Sequence, residues 1–219
     1  MWMGPSMADI VVIDYGHGNL KSIQRGFERV GSRVVLSSDP SIISNADRLI
    51  LPGVGAFGSG MRHLEKLGLA DALHDFVKKG NPLLGICLGM QMLFDSGKEY
   101  GMHKGLGLIP GIVDKISDKT KSEKIRKIPH IGWSALINTG CNSNWTDSCL
   151  TNLNQGDYVY FVHSYMAMIK GSEYLLSQCN DEGLLIPAAV KKDNITGLQF
   201  HPEKSGKIGL KILEDFSNL

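Results

Sequence analysis

The chain lacks the features that mark nucleic-acid-binding, membrane-spanning and secreted proteins. Its 219 residues include 23 Lys and Arg and 22 Asp and Glu, which gives a formal net charge of +1. A nearly neutral chain gives no support for binding to nucleic acid or to a membrane surface. No apolar run approaches the roughly 18 residues that a membrane-spanning helix requires. We therefore expect neither nucleic acid nor a membrane among the partners.

The first residues also lack a targeting signal. Met1 to Ser6 have neither the basic nor the apolar region of a secretory signal peptide. We interpret them as remnants of an expression vector and place the natural start at Met7. Residues 7–219 are then expected to form a single domain, because that length supplies one substantial hydrophobic core.

Cysteine is scarce, and its spacing gives no zinc pattern. The four cysteines are Cys87, Cys141, Cys149 and Cys179, none of them in a C-x-x-C pair or completed by a histidine cluster. The glycines of residues 15–19 match neither of the two phosphate-loop patterns, G-x-G-x-x-G and Gly-Lys-Ser/Thr. The sequence therefore predicts no metal and no cofactor. A working thiolate at Cys87 would require a reducing cytoplasm, and the other cysteines are interpreted as ordinary packing or surface thiols.

The first half of the chain alternates short apolar runs with helical segments. Strands are predicted at Ile10 to Asp14, Arg33 to Ser37, Arg48 to Leu51 and from Pro82 onward; helices are predicted up to about Val30, at Gly58 to Leu67, at Leu69 to Lys79 and at Met90 to Asp95. This alternation indicates βα units and a parallel sheet. Active sites of such sheets lie beyond the carboxyl ends of the strands.

From Gly105 onward the pattern changes to short strands and turns. The segment from Asp114 to Lys127 is rich in charge, and we interpret it as a solvated excursion. Further strands are predicted at Ile128 to Ile137, Tyr158 to Tyr165, Leu175 to Cys179, Ala188 to Lys192 and Thr196 to Phe200, with a loop from Cys141 to Asn154. The segment from Ser205 to Ser217 has apolar residues at helical spacing, so an amphipathic helix is expected to cover the sheet.

One apolar run ends in a cysteine with a glycine two residues away on each side. In Gly85-Ile86-Cys87-Leu88-Gly89 the glycines permit a sharp turn from strand to helix, as in the G-x-S-x-G nucleophile elbow. Such a turn lifts the side chain above the sheet, and the helix N-terminus favours its thiolate. Cys87 is therefore a candidate nucleophile, although a buried packing cysteine at a strand end would give the same local pattern.

A candidate base lies near the C-terminus. In His201-Pro202-Glu203, which follows an apolar strand, the carboxylate can orient the imidazole and the proline stiffens the loop. A histidine alone is more often an ordinary core or loop residue. Together, Cys87, His201 and Glu203 supply a nucleophile, a base and an orienting group. His163 is a second candidate base, ranked lower because no carboxylate follows it two residues later.

Two further stretches would complete such a site. Pro52-Gly53-Val54-Gly55 directly follow a strand, and a flexible loop beside a nucleophile can donate backbone N–H groups to an oxyanion. An ordinary strand-to-helix turn would look the same in isolation. Gln91, one helical turn after Cys87, is a candidate substrate ligand, with helix capping or surface exposure as the alternative.

The same motifs occur together in a known family. Gly85-Ile86-Cys87-Leu88-Gly89-Met90-Gln91 and His201-Pro202-Glu203 match the two signatures of the class I, or triad, glutamine amidotransferases. Further blocks resemble the branch formed by the glutaminase subunits of imidazole glycerol phosphate synthase. They are Asp14-Tyr15-Gly16-x-Gly18-Asn19-Leu20, Pro52-Gly53-Val54-Gly55-Ala56-Phe57, Gly105-Leu106-Gly107-Leu108-Ile109-Pro110-Gly111, Pro129-His130-x-Gly132-Trp133 and Phe161-Val162-His163-Ser164-Tyr165. These blocks run through almost the whole chain in family order.

The resemblance implies a fold and a set of functional residues. The fold would be α/β and flavodoxin-like, with a central mostly parallel sheet, helices on both faces and an antiparallel extension. Cys87, His201 and Glu203 would form the catalytic triad. By position in the family motifs, the oxyanion donors would come from Gly53, Val54 and Leu88, the glutamine pocket from Gln91, His163, Ser164 and Tyr165, and the partner interface from Asn19, Trp133 and Lys204.

The resemblance also implies an activity and a partner. Glutamine would be hydrolysed to glutamate and ammonia. The ammonia would pass to a cyclase subunit with a (β/α)8 barrel, which converts N′-phosphoribulosyl-formimino-AICAR phosphate into imidazole glycerol phosphate and AICAR in histidine biosynthesis. The assembly would be a cytoplasmic heterodimer.

Two departures from the histidine branch leave alternatives open. Ser134 follows Trp133 where that branch usually carries Asn, and the segment from Asp114 to Lys127 is long. The alternative within the same chemistry is ammonia supply to an enzyme that amidates a surface-polysaccharide sugar. Met90 argues against the anthranilate and carbamoyl-phosphate branches, which usually carry His there. A cysteine peptidase or thiol-based stress protein would lack the His-Pro-Glu block, and an inactive scaffold would not be expected to retain the triad.

Overall fold

The structure, a computed structural model, describes residues 10–120, 123–139 and 145–219. Met1 to Ser6 and Cys141, about which the sequence made predictions, lie outside the described residues. The strands are β1 (Ile10–Ile13), β2 (Val34–Ser37), β3 (Arg48–Leu51), β4 (Leu83–Ile86), β5 (Phe94–Gly97), β6 (His103–Lys104), β7 (Ile109–Lys115), β8 (His130–Ala135), β9 (Ile137–Asn138), β10 (Tyr158–His163), β11 (Tyr165–Ile169), β12 (Leu175–Asp181), β13 (Leu184–Lys192) and β14 (Ile195–Leu198). The helices are α1 (Leu20–Arg29), α2 (Pro40–Ser44), α3 (Phe57–Lys66), α4 (Leu69–Lys78), α5 (Leu88–Met92) and α6 (Gly206–Ser217), with 3₁₀ turns at Ser172–Tyr174 and Pro202–Lys204.

A mixed sheet forms the centre of the described structure. Its eight strands follow the order β2-β1-β3-β4-β14-β13-β12-β9. The neighbours from β2 to β14 are parallel, whereas β13, β12 and β9 form an antiparallel extension. The parallel part has the 2-1-3-4-5 order of flavodoxin-like folds, with β14 as its fifth strand. The predicted α/β class and the antiparallel extension are confirmed.

Helices cover both faces of this sheet. In β1, Ile10 and Val12 belong to a hydrophobic cluster that includes α1 and α6, whereas Val11 and Ile13 belong to a second cluster with α3 and α4. Strands buried on both faces have continuous apolar sequences, which explains why the short β-branched runs predicted them correctly. None of the helices in the described ranges is both long and apolar enough to cross a membrane.

The helix expected from Met90 to Asp95 was placed wrongly. The helix is α5, which begins at Leu88 and ends at Met92, and the chain then enters β5. The carbonyl of Leu93 accepts hydrogen bonds from the N–H groups of Leu108 (2.8 Å) and Ile109 (3.0 Å). The helix therefore stops at Met92, because the next residues pair with a segment about fifteen residues further along the chain. Local hydrophobic periodicity gives no sign of such a pairing.

The strand expected from Tyr158 to Tyr165 is interrupted at Ser164. β10 pairs with β8, whereas β11 pairs with β7 in a different sheet. The carbonyl of Ser164 accepts a hydrogen bond from the N–H of Ile116 at 2.9 Å. The strand expected from Ile128 to Ile137 is likewise divided into β8 and β9, and α2 was not predicted.

The segment from Asp114 to Lys127 is a solvated excursion only in part. Asp114 lies in β7, and Arg126 near the other end is 4% exposed. The Arg126 guanidinium forms an ion pair with Asp181, with Nη1 and Oδ2 at 2.7 Å. A count of charges could not identify this buried pair, because its partner is far away in the sequence.

Two glycines allow backbone segments near the candidate catalytic residues to come into contact. A Cβ at Gly89 would lie 1.8 Å from the carbonyl oxygen of Leu51, so α5 touches the end of β3. A Cβ at Gly209 would lie 1.8 Å from the carbonyl oxygen of Pro202, so α6 touches the turn at 202–204. Both contacts hold loops at the carboxyl end of the parallel strands.

Gly209→Ala is expected to destabilise the protein, although the same change inside a helix usually stabilises it. The added Cβ would overlap the Pro202 carbonyl, and overpacking of this kind costs about 1–3 kcal/mol. Equilibrium unfolding in urea measures the change, and Lys211→Ala on the exposed face of α6 is the control. An unchanged or higher midpoint for Gly209→Ala would contradict the close packing.

Candidate active site

Cys87 lies at the turn where β4 passes into α5. Its backbone has φ 55° and ψ −111°, a conformation that is strained for a residue with a side chain. Its N–H donates to the carbonyl of Leu198 at 2.7 Å, and its carbonyl accepts from the N–H of Gln91 at 3.1 Å. These bonds join the elbow to the neighbouring strand β14 and to the helix that follows. The turn has the geometry expected of a nucleophile elbow.

A cavity of about 340 Å³ opens next to Cys87. It brings together Cys87 and Leu88 from the elbow, Val54 from the loop after β3, Gln91 from α5, residues 163–165 where β10 passes into β11, and His201. The cavity lies beyond the carboxyl ends of the parallel strands, as expected for such a sheet. Residues that are far apart in the sequence therefore share one site.

His201 and Glu203 form a buried pair in the turn after β14. His201 Nδ1 lies 2.8 Å from Glu203 Oε1, and the two side chains are 3% and 1% exposed. Because the carboxylate accepts the Nδ1 proton, the other ring nitrogen, Nε2, is left for the cavity. Nε2 makes no hydrogen bond to any described residue. The N–H of His201 donates to the carbonyl of Tyr160 at 2.9 Å, which holds the loop against β10.

Electrostatics favour a protonated His201. Burial alone would lower its pKa, but the sulphur of Cys87 and the carboxylate of Glu203 favour imidazolium and raise the pKa to about 10. A base in this environment retains a proton taken from Cys87. The imidazole of His201, with Glu203 behind it, is therefore suited to accept a proton from the cavity side.

His163, the second candidate base, lies in the same cavity with both ring nitrogens occupied. Nδ1 lies 2.8 Å from the carbonyl oxygen of Tyr165, and Nε2 lies 3.1 Å from His130 Nδ1. Burial lowers the pKa of His163 to about 4. Its imidazole is therefore neutral near pH 7 and has no free nitrogen with which to take a proton from Cys87.

The loop after β3 packs directly on the elbow. A Cβ at Gly53 would lie 2.8 Å from both the Gly89 nitrogen and Leu88 Cβ, so this position admits no side chain. Leu88 is the first residue of α5, where N–H groups have no partner within the helix. Val54 is 43% exposed and lines the cavity. Leu88 and Val54 thus line the same cavity as Cys87, and Gly53 packs against Leu88.

Gln91 is buried rather than capping a helix or exposed to solvent. It is 5% exposed, and its Nε2 lies 3.0 Å from the carbonyl oxygen of Tyr165 and 2.9 Å from Gln199 Oε1. Both alternatives considered for Gln91 are therefore wrong, and its position in the cavity wall suits a substrate ligand.

Two polar residues at this site were not predicted from the sequence. Glu99 lines the cavity, and its Oε2 accepts a hydrogen bond from the N–H of Phe57 at 2.8 Å. Gln199 is fully buried beside Cys87. Glu99 lies in a charged turn without a motif. Gln199 gave a weak signal, because a glutamine within an apolar strand is unusual.

The residues predicted to face a partner are exposed. Asn19 precedes α1, Trp133 is 54% exposed on β8, and Lys204 lies in the turn after His201. Trp133 and Lys204 both contact the ring of Tyr160, at 5.9 Å between ring centroids and 5.9 Å from Nζ to the ring centre. Within the described ranges, no group of three or more His, Cys, Asp and Glu is arranged to hold a metal ion.

Comparison with known proteins gives a consistent result. A family model described as "Glutamine amidotransferase class-I" matches residues 11–218. The imidazole glycerol phosphate synthase subunit HisH 1 of Legionella pneumophila strain Lens is 44% identical over 210 residues, which cover 96% of this chain and 99% of that protein. The corresponding HisH subunits of Sulfurimonas denitrificans and Aquifex aeolicus are 42% and 44% identical, with 95% and 94% of this chain covered and 97% and 94% of theirs.

Solved structures of low sequence identity share the fold. The PurLQS structure from Thermotoga maritima has a TM-score of 0.73 at 18% identity, covering 97% of this chain and 99% of that one. A glutamine amidotransferase from Thermotoga maritima has a TM-score of 0.60 at 15% identity, covering 90% of this chain and 77% of that one.

An elbow cysteine, a carboxylate-oriented histidine and a family match over nearly the whole length define the class. The chain belongs to the class I glutamine amidotransferases. Within that class, it belongs to the family of HisH subunits of imidazole glycerol phosphate synthase, which takes part in histidine biosynthesis.

The raised pKa of His201 predicts a pH-dependent contribution to stability. Unfolded imidazole titrates near 6.5, whereas His201 in the folded state titrates near 10, so the folded state binds the proton more tightly. This stabilisation is full below about pH 6.5 and is lost as the pH rises towards 10. Glu203→Gln removes a negative charge that holds the proton on His201. The variant's deficit in unfolding free energy should therefore be larger at about pH 6 than at about pH 10.

Urea unfolding at the two pH values measures this difference. Glu214→Gln, at an exposed position of α6, is the matched control and should show no such trend. A deficit for Glu203→Gln that is equal at both pH values would contradict the proposed charge coupling.

Proposed function

We propose that Cys87, His201 and Glu203 hydrolyse the side-chain amide of glutamine to glutamate and ammonia. The observation that carries this proposal is the buried Glu203–His201 pair, with its Nε2 left unbonded in the cavity that holds the elbow cysteine. Membership of the class I amidotransferases supports the same reaction.

In the first half of the reaction, His201 Nε2 takes the thiol proton, and the Cys87 sulphur attacks the γ-carbonyl carbon. A carbon–sulphur bond forms, and the carbonyl oxygen becomes an oxyanion. The N–H groups of Leu88 and Val54 stabilise this charge. The carbon–nitrogen bond then breaks, and the His201 imidazolium gives its proton to the nitrogen, which leaves as ammonia. Glu203 remains ionised and holds the imidazole in one tautomer.

In the second half, water replaces the sulphur. His201 takes a proton from the water, whose oxygen attacks the γ-glutamyl thioester. The carbon–sulphur bond breaks, the imidazolium returns the proton to the thiolate, and glutamate leaves. The thiol and the neutral imidazole are then restored, so the cycle needs no other reactant.

The cavity wall offers groups that suit the other end of glutamine. The Glu99 carboxylate complements an α-ammonium group, and Gln91, His163, Ser164 and Tyr165 surround the remaining space. His163 acts here as a neutral part of the wall, consistent with its lowered pKa of about 4. Binding of both ends fixes the amide next to the sulphur.

We also propose the synthase partner and the setting. The partner is a cyclase subunit with a (β/α)8 barrel that uses the ammonia to make imidazole glycerol phosphate and AICAR. It docks on the surface marked by Asn19, Trp133 and Lys204, and the heterodimer works in a reducing cytoplasm. Residues 7–219 act as a single amidotransferase domain, in keeping with a family match that extends from 11 to 218.

Ammonia supply to a surface-polysaccharide enzyme was the alternative that the sequence left open within the same chemistry. The HisH names of relatives at 42–44% identity favour the histidine branch. The departure at Ser134 does not favour the rival, because its hydroxyl makes a hydrogen bond with His130 at 3.0 Å and so fits the site.

Cys87→Ala is expected to abolish ammonia release from glutamine without unfolding the protein. A glutamine-mimicking diazoketone should label Cys87 and spare Cys149 and Cys179, because burial raises the pKa of each of these two thiols to about 12. Ammonia assay and mass spectrometry of labelled peptides measure both effects. Wild-type ammonia release by Cys87→Ala would disprove the assignment.

The choice of base has its own control. His201→Ala should be nearly as damaging as loss of the nucleophile, because triad members act as a unit. His163→Ala should leave the reactivity of Cys87 towards a small alkylating agent largely unchanged. The reverse pattern would show that His163 is the base.

The loop after β3 suggests that the partner controls the rate. Val54 lies between Gly53 and Gly55 and is 43% exposed, so the peptide between Gly53 and Val54 can rotate at low steric cost. One orientation directs an N–H towards the oxyanion, and the other directs a carbonyl there. A partner that binds the first orientation more tightly shifts the population towards it.

We therefore expect the cyclase with its nucleotide ligand to raise glutaminase turnover by at least about 100-fold, the effect of one oxyanion donor. Steady-state glutamate formation should be compared for the chain alone, with cyclase, and with cyclase plus ligand. Equal turnover in all three conditions would refute this control while leaving the triad intact.

A further inference from the structure

Gln199 is a fully buried amide with two partners at the active site. It is 0% exposed and follows β14, where its N–H donates to the carbonyl of Ala188 at 2.9 Å. Its Oε1 lies 2.9 Å from Gln91 Nε2, and its Nε2 lies 3.9 Å from Cys87 Sγ. A buried amide without partners would be costly, so these two contacts constrain its orientation.

A backbone carbonyl determines which way both amides point. The carbonyl oxygen of Tyr165 can only accept, so the Gln91 atom 3.0 Å away must be the nitrogen Nε2. The Gln199 atom next to that nitrogen must then be the oxygen Oε1. It follows that Gln199 presents its N–H group to the sulphur of Cys87. It also follows that the remaining polar atom of Gln91 is its carbonyl oxygen.

Two histidines and Ser134 form a chain of hydrogen bonds that ends at the same carbonyl of Tyr165. His163 Nδ1 donates to Tyr165 O at 2.8 Å, so His163 Nε2 must accept from His130 Nδ1 at 3.1 Å. His130 Nε2 must in turn accept from the hydroxyl of Ser134 at 3.0 Å. Every proton in this row has one consistent position, and Ser134 thereby satisfies a buried imidazole.

We propose that Gln199 is a positioning residue for the glutaminase reaction. It orients Gln91 so that the Gln91 carbonyl oxygen faces the substrate, and it places an N–H donor next to the sulphur of Cys87. The inference rests on the proposed function of Cys87 as the nucleophile. It assigns Gln199 a role beyond filling space in the core.

Two consequences distinguish this role from simple packing. An N–H dipole directed at sulphur interacts more favourably with a thiolate than with a thiol, so Gln199 promotes the reactive form. The free carbonyl oxygen of Gln91 can only accept a hydrogen bond, so the group that it contacts in the substrate is an N–H of glutamine. Loss of Gln199 should therefore change both thiol reactivity and substrate affinity.

The test uses two substitutions of similar volume. Gln199→Met removes the donor and the acceptor, and Gln199→Glu replaces the donor with a negative charge next to sulphur. Alkylation of Cys87 by iodoacetamide at about pH 7 should slow by about threefold to tenfold in the first variant, the effect of one hydrogen bond. It should slow by at least about 100-fold in the second, because of charge repulsion at close range. The pH midpoint of alkylation should rise in the same order.

Gln178→Met is the matched control, since Gln178 is a half-buried glutamine in β12 of the same sheet. It should leave both alkylation and KM for glutamine unchanged. Gln199→Met should raise KM for glutamine. When Gln91→Ala is already present, adding Gln199→Met should raise KM no further. Melting temperatures recorded for each variant separate these effects from loss of folding.

A measurement on the unsubstituted protein does not depend on how any Gln199 variant folds. The side-chain amide signals of Gln199 in NMR spectra should shift with pH at the midpoint of Cys87 alkylation, and the shift should vanish in Cys87→Ala. The inference would be overturned if the amide signals of Gln199 did not change with the ionisation of Cys87. It would also be overturned if the Gln199 variants had the same alkylation rate and the same KM for glutamine as the unsubstituted protein. That result would leave the nucleophile assignment standing, whereas ammonia release by Cys87→Ala would refute the function itself.

Discussion

The strained backbone of Cys87 is the constraint on which the rest of the site depends. A φ of 55° at a residue with a side chain is unfavourable, and it persists only where surrounding contacts enforce it. Here β4 is held between β3 and β14, and the contact of Gly89 with the Leu51 carbonyl fixes the start of α5. Because that contact also holds the loop after β3 against α5, one turn brings the candidate nucleophile and the predicted oxyanion donors to the same part of the fold.

Two buried histidines in one cavity show how environment decides chemical role. His201 has a carboxylate and a sulphur as neighbours, and its pKa rises to about 10. His163 has a carbonyl and another imidazole as neighbours, and burial lowers its pKa to about 4. The first can hold a proton taken from a thiol, and the second is neutral and structural. Separation of the two pKa values is therefore a direct consequence of which groups the fold places beside each ring.

Much of the architecture could be predicted, because it is encoded by short-range patterns. Strands β1 and β4 have apolar sequences that are buried on both faces, and α6 shows an amphipathic repeat. The elements that were misplaced depend on distant partners instead. The chain leaves one sheet for another at Ser164, and Arg126 is buried against Asp181. Neither fact leaves a local periodic signal, since a change of strand partner or a distant counter-ion does not alter the neighbouring sequence.

The sequence by itself predicted a candidate nucleophile, a candidate base with its carboxylate, and the fold class. Each of these depends on residues that lie within a few positions of one another, such as the glycines around Cys87 or the pair His201 and Glu203. Only the tertiary structure gave His201 and His163 different electrostatic surroundings, buried Gln91, and brought Glu99 and Gln199 to the cavity. The reason is physical: pKa values and amide orientations are set by burial and by hydrogen-bond partners, and those partners come from strands that meet only in the folded chain.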